Sequence, residues 1–187
     1  TFPVVSLAIQ EDHLFNYYNG IYVAGITFEE MLQSGKFNPC EGNYSLFNNR
    51  KPSNFEMIVN DHSVISKQIE VGIHGGCTKA FRLKSLNLYG KSDFDYAVFP
   101  NSPKLFHRNL ILRNSGQDAG LMLFRDALYQ NMVRHLSIDM QDYQPAIVFI
   151  NGEYWGIENL REKHDKHYIS KVYGANPDSL DIIEIPG

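Results

Sequence analysis

An α+β fold, an antiparallel β-sheet packed by a few helices, is predicted by three features of the sequence. Short segments alternate apolar and polar residues with the period of a strand; Gly-Gly and Asn-Gly pairs punctuate them as turns; two or three segments carry helical spacing and helix stops. The 187 residues suffice for one domain with its own core, so residues 1–187 are read as a single domain.

Along the chain, "PVVSLAI" (Pro3 to Ile9) is a short apolar strand, followed by a helical turn through "EDHLFNYY" and a second strand at "GIYVAG" (Gly20 to Gly25). "ITFEEMLQSG" reads as a helix with Thr27 as N-cap, Glu30 at capping-box spacing and Gly35 as its stop. The turn-rich "NPCEGNYSLFNNRK" (Asn38 to Lys51) is expected to be a surface loop. In "NFEMIVN" Phe55, Met57 and Val59 share one face, and in "VISKQIEVGIHGG" Ile69, Val71 and Ile73 do the same. Gly75 and Gly76 then turn the chain, and "KAFRLKSLNLYG" is expected to return directly as the partner strand, carrying Lys79 and Arg82.

A further strand, "RNLILRN", leads through "SGQDAG" into a helix over "LMLFRDALYQNMVRHL", with Leu121, Phe124, Leu128 and Met132 as one buried stripe. "PAIVFI" is apolar throughout and predicts a central strand covered on both faces. Asn151-Gly152 predicts a hairpin into "EYWGIENL", the helix "REKHDKHYISKVY" stops at Gly174, and "LDIIEI" is a last strand.

The formal charge is −4, from 17 basic and 21 acidic residues, and no basic run exceeds two residues, which argues against a dedicated nucleic-acid partner. No apolar run reaches the ~20 residues of a membrane-spanning helix. Cys40 and Cys77 fit no CxxC pattern and leave the redox compartment open. The G-x-S-x-G, GxxxxGK[ST] and GxGxxG motifs are absent.

Three stretches can carry chemistry. Beside the Gly75-Gly76 turn, His74, Lys79 and Arg82 suit either a phosphate site, where turn amides and an ammonium act together, or a plain hairpin with solvated ends. In "LRNSGQD", Arg113, Asn114 and Asp118 sit where a strand passes into a helix; they are either functional or helix-capping. In "NGEYWGIENLREK", Glu158, Asn159, Arg161 and Glu162 cluster at another strand end, as a nucleotide-binding edge or as a solvated helix start with a Glu162–Lys166 pair. His164 and His167 are metal-type ligands without a third at recognisable spacing, so no metal ligand is assigned.

Taken in order, "IHGGCTKAFRLKSLNLYG", "FHRNLILRNSGQD", "LFRDALYQ", "YQPAIVFINGEYWGIENLREKHDKHYI" and "NPDSLDIIE" resemble the CotH kinase family, relatives of the spore coat protein H kinase. The resemblance implies the nucleotide-binding part of an atypical protein kinase fold. It also implies transfer of a phosphoryl group from ATP, with Mg or Mn, to Ser/Thr hydroxyls of a protein substrate, in a secreted or cell-envelope setting. It identifies Lys79 as the phosphate-contacting, catalytic lysine. His74, Gly75, Gly76, Arg82, Arg113, Asp118, Asn159, Arg161 and Glu162 accompany it at the nucleotide. Relatives often carry a serine-rich turn where this chain has "GGCTK". The carboxylates that would hold the metal and position the acceptor are expected beyond Gly187, so the chain reads as an incomplete kinase-like domain. The contrasting expectation is a non-catalytic secreted or cell-envelope module that presents aromatic and amide side chains to a protein or glycan.

Overall fold

The computed structural model describes residues 1–100, 102, 106–118 and 120–183. Seven strands form one sheet: β1 (Val4–Ile9), β2 (Lys51–Val59), β3 (His62–His74), β4 (Ser85–Asp95), β5 (Phe106–Arg113), β6 (Tyr143–Ile150) and β7 (Glu153–Glu162). Their order is β1-β2-β3-β4-β5-β7-β6, and the sheet closes into a barrel because β6 pairs back onto β1. Among the described residues four α-helices lie outside the ladder: α1 (Glu11–Phe15), α2 (Gly25–Gln33), α3 (Arg125–Met132) and α4 (Lys166–Tyr173). The sheet with few helices is as expected. The purely antiparallel arrangement is not: β1 and β6 run parallel, with Val4 opposite Ile147 and Leu7 opposite Ile150.

Period-2 alternation builds the core. Val5, Leu7 and Ile9 of β1, Phe55 and Met57 of β2, Ile69 and Val71 of β3, and Leu86 and Leu88 of β4 all point inward and are buried. Leu14 of α1 and Ile21, both buried, join the same cluster. Each such side chain contributes roughly 1.5–3 kcal/mol on leaving water. β6 departs from expectation in the same way: Ala146, Val148 and Ile150 are buried, while Ile147 and Phe149 are only partly covered. It has one core face because it belongs to a barrel wall rather than to the middle of a layered sheet. The Asn151-Gly152 hairpin forms as predicted, both residues taking positive φ (53° and 83°). Asn151 also accepts a hydrogen bond from the Ile9 N–H (2.8 Å), tying the turn to the end of β1.

Other elements differ from the sequence reading. "GIYVAG" forms turns and the start of α2 rather than a strand. The α2 helix begins at Gly25, ahead of Thr27, because its entry is organised by Asn43 from the supposed surface loop. Asn43 is fully buried; its Oδ1 accepts from the Thr27 N–H (3.2 Å) and Oγ1 (2.7 Å), and its Nδ2 donates to the Tyr17 carbonyl (2.8 Å). Gly25, at φ 57°, is required here, since a Cβ would stand 2.1 Å from Asn43 Nδ2.

The predicted buried stripe on the third helix is also absent. Only Arg125–Met132 is helical, Ala127 is its buried residue, and Leu121 and Met132 are 71% and 65% exposed. Asp118 accounts for the late start: its carboxylate accepts from the Arg125 N–H (3.0 Å) and the Met122 N–H (3.4 Å), holding residues 120–122 in turns. The α4 helix starts at Lys166, with Asp165 as N-cap accepting from the His167 and Tyr168 N–H groups, and stops at Gly174 in the left-handed region. Glu162 and Arg161 therefore belong to β7, and Lys166 lies 4.0 Å from Asp178 instead of pairing with Glu162. Residues 181–183 of "LDIIEI" form no strand, and 184–185 lie outside the described residues.

Glu158 of β7 stands opposite Ala146, on the inward side of the barrel wall, and is 1% exposed. Neither of its oxygens has a hydrogen-bond partner among the described residues, and burial pushes its pKa up to about 8. A carboxyl whose folded value lies above its unfolded one disfavours the fold once it must ionise. Stability should therefore decline as pH rises from the ordinary Glu range toward 8, and level off above it. Glu158→Gln should remove this slope, about 4 kcal/mol between pH 5 and pH 9. Urea denaturation at the two pH values reads it directly, and parallel losses in wild type and variant would refute the assignment.

Candidate functional site

The link from β3 to β4 is not the tight hairpin expected. After His74 the ladder is interrupted: Gly75 takes φ 113°, Cys77–Ala80 forms a single 3₁₀ turn, and pairing resumes with His74 opposite Ser85. Lys79 is therefore in a turn and Arg82 in a loop, not on a strand. Three contacts hold the turn out of the ladder. Cys77 is disulfide-bonded to Cys40, with Cα atoms 4.6 Å apart. The Phe81 N–H donates to the Thr78 carbonyl (3.1 Å). The buried Lys84 ammonium donates to the carbonyls of Lys79 (2.6 Å) and Phe81 (2.8 Å), and burial lowers its pKa to about 8.

This displaced turn forms one wall of a cleft of about 760 Å³. The opposite wall is the segment from Asn43 to Arg50, and the floor is the outward face of β3, β4 and β5. Gly72, Asn87, Ile111 and Arg161 are successive partners across β3, β4, β5 and β7, so the register aligns one row of this face over four strands. His74, Gly75, Gly76, Lys79, Arg113 and Lys163 all line the cleft. Arg50 lies over the Tyr89 ring at 3.7 Å, Lys163 approaches the same ring at 5.2 Å, and the Lys163 ammonium donates to Asn87 Oδ1.

The cations act on His74. Its pKa falls to about 4, first because it is buried and then because Lys163, Arg113 and Lys79 repel a proton on it. At neutral pH the imidazole is uncharged and surrounded by positive charge. A Cβ on Gly76 would meet nothing within 4 Å, so the backbone there is open to close approach. Such an arrangement suits an anion with several oxygens.

The remaining predicted residues are placed differently. Arg161 is fully buried and touches the cleft indirectly: its Nη1 donates to Asp126 Oδ2 (2.9 Å), which also pairs with Arg113 Nε (2.8 Å). Asp118 lies outside the cleft lining, in an ion pair with Arg125 (3.0 Å). Asn114 accepts from Ser85 Oγ (2.8 Å) and from the Gly116 N–H (2.8 Å). Asn159 donates to Ser115 Oγ (3.1 Å) and to the Leu123 carbonyl (2.6 Å), a brace behind the site. Glu162 is buried beside His107 (3.5 Å) and His164 (3.7 Å). Arg82 lines a separate pocket with Tyr22, Phe81 and Trp155. Trp155 is committed to structure there, its indole N–H donating to the Tyr22 hydroxyl (2.9 Å).

The sequence reading missed Arg50, Lys163, Asn87 and Asp126. Lys163 immediately follows the "LRE" run and could have been found by continuing the strand alternation past Arg161; Arg50 and Asp126 carried no local signal. Among the described residues no group of three or more His, Cys, Asp or Glu side chains is arranged to hold a metal ion, and His164 instead stacks on Tyr168 at 4.1 Å. No helix among them is long and apolar enough to cross a membrane.

No curated protein shows significant similarity to the chain. The family model described as "CotH kinase protein" matches residues 71–185, more than half of the chain. That span opens at the end of β3 and includes the glycine turn, Lys79, Arg113 and Lys163, so the match takes in one wall and most of the floor of the basic cleft. The chain belongs to the CotH kinase family.

Proposed function

We propose that the basic cleft receives the phosphates of ATP, and that the full-length protein transfers the γ-phosphoryl group of ATP to Ser/Thr hydroxyls of a protein substrate. The observation that carries this reading is the convergence of Lys79, Arg113 and Lys163, from three separate segments, around a half-buried neutral His74 at a glycine turn. A plain hairpin with solvated ends gives no reason for cations so distant in sequence to face one another. Family membership supports the same reading.

The side chains present fit a polyphosphate. Lys79 and Arg113 neutralise its charge, and the exposed backbone at Gly76 lets oxygens come close to amide N–H groups. Asp126 orients Arg113 from behind and balances the buried Arg161. When bound, ATP supplies the phosphoryl group, and the chain's own contribution is positioning and charge neutralisation. The donor set for Mg or Mn is not found among the described residues. The disulfide between Cys40 and Cys77 supports an oxidising, secreted or cell-envelope setting.

Two measurements test the reading. By isothermal titration the chain should bind ATP and inorganic pyrophosphate. Lys79→Met and Arg113→Met should each weaken both by about tenfold, the loss of one charge-assisted contact, while the surface control Lys36→Met should not. Equal affinity in all four proteins would sink the phosphate site, and a protein- or glycan-binding module predicts that result.

The second concerns pH. An anion in the cleft should raise the depressed pKa of His74 toward its ordinary value, so binding takes up a proton and tightens as pH falls. Arg50, Lys79, Arg113 and Lys163 also face the cleft. Sulfate, which does not titrate here, should bind about tenfold more tightly at pH 5 than at pH 7. His74→Asn should abolish the difference; a variant that keeps it would show that another group takes up the proton.

A further inference from the structure

We propose that the Cys40–Cys77 disulfide is a thiol-exchange site that latches the basic cleft closed, so that its reduction releases Lys79 and weakens anion binding. The inference rests on the phosphate-site reading for its effect on binding, but not for its effect on the loop.

The two cysteines belong to the two walls. Cys77 opens the 3₁₀ turn that carries Lys79, and Cys40 stands three residues before Asn43, where the facing segment begins. Each wall is anchored separately. Asn43 and Tyr44 are buried on one side, and Lys84 holds the carbonyls of Lys79 and Phe81 on the other. Between the walls the disulfide is the covalent link, and the Lys84 ammonium stands 4.3 Å from the Tyr44 ring. The β3–β4 ladder ends at His74 and Ser85, so no strand pairing constrains the turn.

Gly75 and Gly76 sit between the last paired residue and Cys77. With φ at 113° for Gly75 and open space around Gly76, they form a hinge; beyond it Lys84 ties the turn to its own wall, and the disulfide ties it covalently to the facing one. The barrel core contains neither cysteine, so opening the latch leaves the packed interior intact. Cys77 is exposed and Cys40 partly so, which makes the bond open to a thiol in solution.

The exchange balances with a dithiol as reductant. One thiolate attacks Cys77 Sγ, the S–S bond breaks, and Cys40 leaves as a thiolate that takes up a proton. The second thiol of the reductant then attacks the mixed disulfide and releases Cys77. Two electrons and two protons pass to the cysteine pair, and the dithiol becomes a disulfide.

The test compares oxidised chain, dithiothreitol-reduced chain and the Cys40→Ser/Cys77→Ser double variant. Pyrophosphate affinity, measured by titration, should drop at least tenfold in the reduced and double-variant forms. Amide hydrogen exchange should accelerate in residues 76–81 and 43–50 while the seven strands keep their protection. Undiminished affinity in the reduced chain overturns the latch, and so does unchanged exchange in the two walls or a collapse of strand protection. If the oxidised chain binds no pyrophosphate, the phosphate-site reading fails by itself, and the exchange pattern then decides whether the latch exists.

Discussion

The parallel pairing of β1 with β6 is the contact on which the rest of the structure depends. Without it the sheet would be open at both edges, with β1 and β6 presenting unpaired N–H and C=O groups. With it, the strands wrap around a single interior, and each strand has one face committed to the core. The opposite faces are then free to carry polar side chains. The row from Gly72 through Asn87 and Ile111 to Arg161 runs along that outward face and underlies the cleft.

Charge is distributed around this row in two layers. Facing the cleft are Lys79, Arg113 and Lys163, with an uncharged His74 among them. Behind it, Asp126 joins Arg113 to the fully buried Arg161, so that one carboxylate stabilises two guanidinium groups. The exposed layer keeps an excess of positive charge because its carboxylate partner lies on only one side. A protein with net charge −4 thus has a local positive site that its overall composition conceals.

Elements governed by neighbouring residues were legible. The alternation of Phe55 with Met57 and of Ile69 with Val71, the Asn151-Gly152 turn and the Gly174 helix stop each depend on a few adjacent side chains, and the structure contains them. The family was legible as well, since its blocks recur in order. Misreadings came where a distant residue overrode a local preference. Asn43 moved the start of α2, Asp118 delayed α3, and Cys40 with Lys84 drew the Cys77–Ala80 turn out of the ladder.

The sequence by itself therefore determined most of the seven strands, the Asn151-Gly152 turn, the glycine pair beside Lys79 and the kinship with CotH kinases. These follow from side-chain periodicity, from the φ preferences of Gly and Asn, and from blocks preserved in order. Only the tertiary structure decided that the sheet closes, that Lys79 meets Arg113 and Lys163 while Arg82 and Asp118 stand elsewhere, and that Cys40 reaches Cys77. The reason is physical: each of these is a contact between segments far apart in the chain. Strand register and barrel closure bring such segments together, and neither leaves a mark on the residues adjacent to any one of them.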